Sequence, residues 1–225
     1  MSRIIKARFL WLAYSAIVFL PSCNRQKKEC EGKTRLTFEF DIPYTITPMQ
    51  DTFSVGDTIW MEFAFSNQMY NKNNGKTYTV NDFEFKMYSD ISDLYTNTVR
   101  PTNDFTMVNS MKQVDSTEDR YGALFHINTQ MEGSVYKWKA GFILHKKGLY
   151  AFAPGSEIRN DGKLADQSPP QHITECPNEG VSLDFLLTNG NGNSYFLDYA
   201  ADENPRERWD RPAFDKACFA FYVKE

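Results

Sequence analysis

Strict alternation of apolar and polar side chains is the feature that most limits what this chain can fold into. From Arg35 onward Leu36, Phe38, Phe40 and Ile42 fall on one face, with Thr37, Glu39 and Asp41 on the other. A period of two places successive side chains on opposite sides of a pleated strand, so this is a strand with one buried face. The pattern returns in Asp57 to Ser66, where Ile59, Met61, Phe63 and Phe65 alternate with Trp60, Glu62, Ala64 and Ser66. It returns again at Phe83, Phe85 and Met87, and in Val135 to His145, where Tyr136, Trp138, Ala140, Phe142 and Leu144 oppose lysines. Thr77 to Val80, Phe105 to Val114, Tyr121 to Thr129, Leu149 to Ala153, Val181 to Leu187, Ser194 to Tyr199 and Cys218 to Val223 are further expected strands. Helical periodicity is nearly absent.

Turn residues punctuate these runs. Val55-Gly56-Asp57, Asn73-Asn74-Gly75-Lys76, Lys147-Gly148, Asn160-Asp161-Gly162 and Asn189-Gly190-Asn191-Gly192 supply the positive φ that tight connections between strands need. About ten short strands with this punctuation predict an all-β fold, an antiparallel sandwich. The 225 residues, 41% of them hydrophobic and 15% aromatic, suffice for a sizeable core. No linker divides residues 34–225, which are read as a single domain. The one long irregular stretch is Pro154 to Gly180, with Pro154, Pro169, Pro170 and Pro177.

The segment His145-Lys146-Lys147-Gly148-Leu149-Tyr150-Ala151-Phe152 resembles the tyrosine corner of immunoglobulin-like domains. There a glycine permits the turn and the tyrosine hydroxyl bonds the backbone upstream. The resemblance implies an immunoglobulin-like sandwich. Phe152 stands where those domains carry a cysteine, which excludes their inter-sheet disulfide at that point.

The N-terminus reads as a targeting signal. Arg3, Lys6 and Arg8 precede the apolar run Phe9 to Leu20, which is shorter than the ~20 residues a spanning helix needs. Leu20-Pro21-Ser22-Cys23 resembles a bacterial lipobox, with Pro21 departing from the usual small or aliphatic residue. That resemblance, set against plain secretion or an uncleaved anchor, implies a signal peptide at 1–22 and acyl chains on Cys23. Several acyl chains hold a protein on a membrane, each buried CH₂ contributing about 0.8 kcal/mol. Residues 23–33, polar and aperiodic, form a tether. Gln26-Lys27-Lys28-Glu29 and the run Asp51 to Trp60 are similar to segments of Bacteroidota cell-envelope lipoproteins, which implies an outer-membrane location with the periplasmic or surface face undecided.

The formal charge of −4 excludes a global basic field for nucleic acid, and loss of residues 1–22 would remove three basic and no acidic groups. His126, His145 and His172 stand in no metal-ligand spacing, and no nucleophile-elbow, phosphate-loop or dinucleotide motif is present. The sequence therefore calls for no cofactor or metal and for no catalytic residue. An alternative class remains, a lipid-anchored glycan hydrolase, because glycosidases need only two carboxylates about 5 to 9.5 Å apart. Asp198, Asp202, Glu203, Asp210 and Asp215 gather near the C-terminus with Arg206, Arg208 and Arg211, a mixture typical of solvated loops.

Binding is the expected activity. Trp60 falls opposite the apolar face of its strand, and Tyr70, Tyr78, Tyr95 and Trp209 lie at or near loops. Flat rings in such places stack on sugars or anchor proteins. Trp60 and Trp209 are the candidate ligand-binding aromatics for a glycan or a cell-surface protein, unless a further layer turns Trp60 into core. Of the cysteines left after Cys23, Cys176 and Cys218 are the expected disulfide, with Cys30 pairing with either, or no bridge at all, as the alternatives.

Overall fold

A computed structural model describes residues 38–95, 104–109, 116–119, 122–156, 180–199 and 211–225. Its strands are β1 (Phe38–Thr47), β2 (Thr52–Ser54), β3 (Thr58–Ser66), β4 (Gln68–Asn71), β5 (Lys76–Thr79), β6 (Met87–Asp93) and β7 (Phe105–Asn109). After these come β8 (Ser116–Asp119), β9 (Gly122–Ile127), β10 (Gln130–Glu132), β11 (Val135–Leu144), β12 (Gly148–Ser156), β13 (Val181–Leu187) and β14 (Phe219–Lys224). A 3-10 helix, Ser194–Tyr199, and one short helix, α1 (Arg211–Ala217), lie between the last two strands.

The strands form a β-sandwich. Sheet A runs β10-β11-β3-β1-β13, with β7 also on β11, and sheet B runs β2-β14-β12-β6-β9-β8. The alternation dictates the packing. Phe38, Phe40, Ile42, Tyr44 and Ile46 of β1 turn inward with Ile59, Met61, Phe63 and Phe65 of β3 and Tyr136 to Leu144 of β11. They meet Phe152, Phe219, Phe221 and Val223 from sheet B in one buried cluster. Aromatic rings carry the contact between the sheets: Phe142 lies 4.9 Å from Phe152 and 5.3 Å from Phe125. Edge-to-face and tilted pairs of this kind add about 0.5–1.5 kcal/mol each beyond area burial.

Two pairings depart from the expected antiparallel order. β1 with β13 and β14 with β2 are parallel. Both join strands distant in sequence, so no hairpin turn constrains their direction.

The tyrosine corner forms as the sequence implies. The Tyr150 hydroxyl donates to the Lys146 carbonyl at 3.3 Å, and the ring is buried against Phe105 with centroids 5.0 Å apart.

Three local expectations are corrected. Ser194–Tyr199 is a 3-10 helix, not a strand: Asn193 adopts φ 53°, and the Phe196 amide closes a turn on the Asn193 carbonyl at 3.0 Å. The Asn189-Gly190-Asn191-Gly192 run therefore leads into a helix and makes no hairpin. Gly192 is a packing requirement, since a Cβ there would lie 2.8 Å from the carbonyls of Phe214 and Cys218. Phe83 and Phe85 precede β6 and do not belong to it. They pack as loop side chains, Phe85 with its ring 4.9 Å from Tyr136, whose hydroxyl holds the loop by accepting from the Phe83 amide and donating to the Val80 carbonyl.

A second, smaller cluster decides which surface stays open. Leu149 and Ala151 of β12 and Ala220 of β14 point away from the main core and are covered by Leu197 of the 3-10 helix and Phe214 of α1. This explains why Leu149 to Phe152 reads as a continuous apolar run, for a strand buried on both faces needs no alternation. Of the expected long irregular stretch, Pro154 to Ser156 complete β12, and 157–179 lie outside the described residues.

Candidate binding face

Helices cover part of the outer face of sheet B, while among the described residues no second layer lies on the outer face of sheet A. On that face β3 presents Thr58, Trp60, Glu62, Ala64 and Ser66, flanked by β1 and β11. Trp60 pairs across β1 with Thr47 and across β11 with Gly141, which in turn faces Val108 of β7. A Cβ on Gly141 would fall 3.1 Å from the indole carbons Cη2 and Cζ3 and from Cγ2 of Thr58. The glycine thus lets the half-buried indole lie close against β11.

Charged and hydroxyl side chains surround the ring. Lys139 Nζ stands 5.5 Å from the indole centroid and 3.0 Å from Glu62 Oε2. Glu62 pairs across β1 with Thr45, so the row beside Trp60 runs Thr45, Glu62, Lys139. Farther along, Lys137 bridges Glu132 at 2.8 Å, a hydrogen bond that raises the lysine's pKa. At the β13 side, the Lys72 ammonium reaches from the β4–β5 turn to Glu39 and Asp41, each at 2.9 Å, and to Asp184. Burial works against that ammonium, but hydrogen bonds to Asp184, Glu39 and Asp41 outweigh it and raise the pKa above the ordinary lysine value. Of the large apolar side chains that the described residues leave exposed, Val108 alone belongs to this face.

The other expected site residues are not gathered here. Tyr78 packs its ring on Phe38, 5.2 Å away, and serves the core. Tyr70 and Tyr95 are exposed at other places in the fold, on β4 and just after β6. Trp209, Cys23, Cys30 and Cys176 lie outside the described residues. Cys218 carries a free thiol, packed against the second cluster. Burial and the nearby charge of Asp90 push that thiol up to about 12.

Of the C-terminal carboxylates, Asp215 accepts from the Ser194 hydroxyl at 3.1 Å, tying α1 to the 3-10 helix, and Asp198 is exposed. Asp202, Glu203 and Asp210 lie outside the described residues, as do Arg206, Arg208 and His172. His145 is engaged by the Thr106 hydroxyl at 2.6 Å, and no cluster of metal-ligating side chains occurs among the described residues. Sequence reasoning passed over Gly141 and Lys139. A lone glycine in an alternating strand beside a tryptophan-bearing one was the available signal, because such a glycine marks close approach of another group.

No family model matches the chain, and no curated protein matches it. Among solved structures it is similar to a type II cohesin dyad from the adaptor ScaA scaffoldin of Acetivibrio cellulolyticus, at 15% identity and a TM-score of 0.27. The match covers 65% of this chain and 46% of that one. The sandwich assignment rests on the strand pairing and the shared core.

Proposed function

We propose that the protein is a lipid-anchored cell-envelope binding module, without catalysis, that takes a glycan across the outer face of sheet A. Trp60 carries this reading: a half-buried indole against Gly141 on the outer face of sheet A, bordered by Thr47, Thr45, Glu62 and Lys139. One stacking ring with a hydroxyl about one strand spacing (~4.8 Å) away and a carboxylate and an ammonium in the next row, about two residues (~6.7 Å) along the strand, matches the apolar face and equatorial hydroxyls of a sugar. A protein partner is the second reading, and Val108 beside the ring favours it. Stable protein interfaces build on clusters of apolar anchors, which this face lacks among its described residues.

Anchoring through Cys23 would hold the domain at the outer membrane by residues 23–33. Membrane fractionation of the Cys23→Ala variant tests it: release into the soluble fraction supports the anchor, and retention overturns it. Gel retardation in soluble β-glucan, mannan, xylan and α-glucan tests the binding face. Retardation by one of them, lost in Trp60→Ala with an unchanged melting temperature, supports the glycan reading. No retardation by any, or retardation indifferent to Trp60, overturns it.

A further inference from the structure

The 3-10 helix that closes sheet B carries a second surface, independent of Trp60. Tyr195 and Tyr199 are 44% and 62% exposed, two of the most exposed large apolar side chains among the described residues. They are not loose. Asn193 starts the helix, and its side-chain amide donates to the Ala220 carbonyl at 2.9 Å. Leu197, between the two tyrosines, is buried in the second cluster, which turns the phenols outward.

The Tyr195 hydroxyl donates to Asp51 Oδ2 at 2.7 Å, and Asp51 is itself placed by the Tyr222 amide, which donates to its carbonyl at 2.8 Å. The bonds from Tyr195 and Thr52 lower the Asp51 pKa, so the carboxylate is charged at neutral pH. The other exposed carboxylates that face lysines are paired: Glu62 with Lys139, Glu132 with Lys137, Glu225 with Lys147, and Asp41 and Asp184 with Lys72. Among the described residues, no lysine or arginine pairs with Asp51.

We infer that Tyr195, Tyr199 and Asp51 form a binding site for a cationic side chain, a guanidinium or ammonium presented by a basic segment of a partner protein. An ionised carboxylate that no described lysine or arginine pairs with, bonded to the exposed Tyr195 with Tyr199 near that phenol, supplies both an ion pair and cation–π attraction. The negative formal charge of the chain steers such a partner toward it. The carboxylate argues against an anionic lipid surface as the occupant, since like charges repel there.

Calorimetric titration of the full-length protein with nona-arginine, and with a nona-glutamate control, tests the site. Wild type binds the basic peptide. Tyr199→Ala, which changes no charge and leaves the Asp51 bond intact, weakens it roughly threefold, and Asp51→Asn weakens it by at least as much. Amide chemical-shift changes centre on residues 194–199 and 51–52. Equal affinity in wild type and both variants, or shifts centred on Glu39, Asp41 and Asp184, would show attraction to net charge alone and overturn the assignment. Trp60→Ala leaves peptide binding unchanged, so failure of the glycan reading and failure of this one are separable.

Discussion

The ring of Tyr150 lies so close to Gly148 that a Cβ on the glycine would stand 2.9 Å from its Cε2, Cζ and hydroxyl oxygen. The glycine is what allows the phenol to fold back over the turn and reach the Lys146 carbonyl. Gly148→Ala therefore lowers stability by roughly 1–3 kcal/mol through overpacking. Tyr150→Phe costs about 1–2 kcal/mol by leaving a partly buried carbonyl unmatched. Urea denaturation of the two variants measures both; a neutral Gly148→Ala would show that the ring has room to move.

Lys72 neutralises Glu39, Asp41 and Asp184 at one corner of sheet A. Replacing it with methionine leaves three carboxylates facing one another, and the groups are partly exposed, so the expected loss is modest, about 1 kcal/mol at neutral pH. Because the folded pKa of Lys72 is raised, its contribution is complete below the unfolded value near 10.4 and fades as pH rises through the folded one. The difference between wild type and Lys72→Met in thermal unfolding should shrink in about 1 M salt and above that pH window. A constant difference across salt would mean that packing of the lysine stem, not charge, is what was lost.

Tyr195 and Asp51 set a second pH signature. Burial and the Asp51 hydrogen bond push the phenol up to about 12, while the same bond lowers the carboxylate. The contribution of Asp51 is present above its unfolded value near 3.9 and is lost as pH falls through the depressed folded value; that of Tyr195 is present below about 10 and lost as pH rises toward 12. Burial raises Tyr44, Tyr136 and Tyr150 as well, so spectrophotometric titration should show several late tyrosines, of which one moves to lower pH in Asp51→Asn. An unshifted titration in that variant would break the link between the two groups.

Ser89 sits fully buried on the core face of β6, and its hydroxyl has no hydrogen-bond partner among the described residues. Ser89→Ala removes a desolvated polar group and keeps the volume nearly constant, so stability should hold or rise by up to about 1 kcal/mol. A clear drop in the urea midpoint would reveal a partner for the hydroxyl, such as a buried water.

Cys218, with its raised pKa, should resist alkylation by iodoacetamide at neutral pH in the folded protein and react once unfolded. Mass spectrometry of the labelled chain reads this directly. Protection that persists in denaturant and disappears with reductant would instead identify a bridge, with Cys176 the expected partner.

Alternation in the amino-acid sequence determined the all-β class, the inward set of β1, β3, β11 and β13, and the outward placement of Trp60, because side-chain direction in a strand depends only on local parity. The tyrosine corner was also legible, since glycine and tyrosine two residues apart act within one turn. Parity could not say that β13 runs parallel to β1, that Ser194–Tyr199 curls into a helix, or that Phe214 and Leu197 cover the outside of β12. Those depend on contacts between residues far apart in the chain. The candidate faces were decided at the same level: Trp60 needs Gly141 from a strand about eighty residues away to pack closely against β11, and Tyr195 is held by Asp51 from across the fold. Local periodicity fixes which way a side chain points, and only tertiary packing fixes what it meets there.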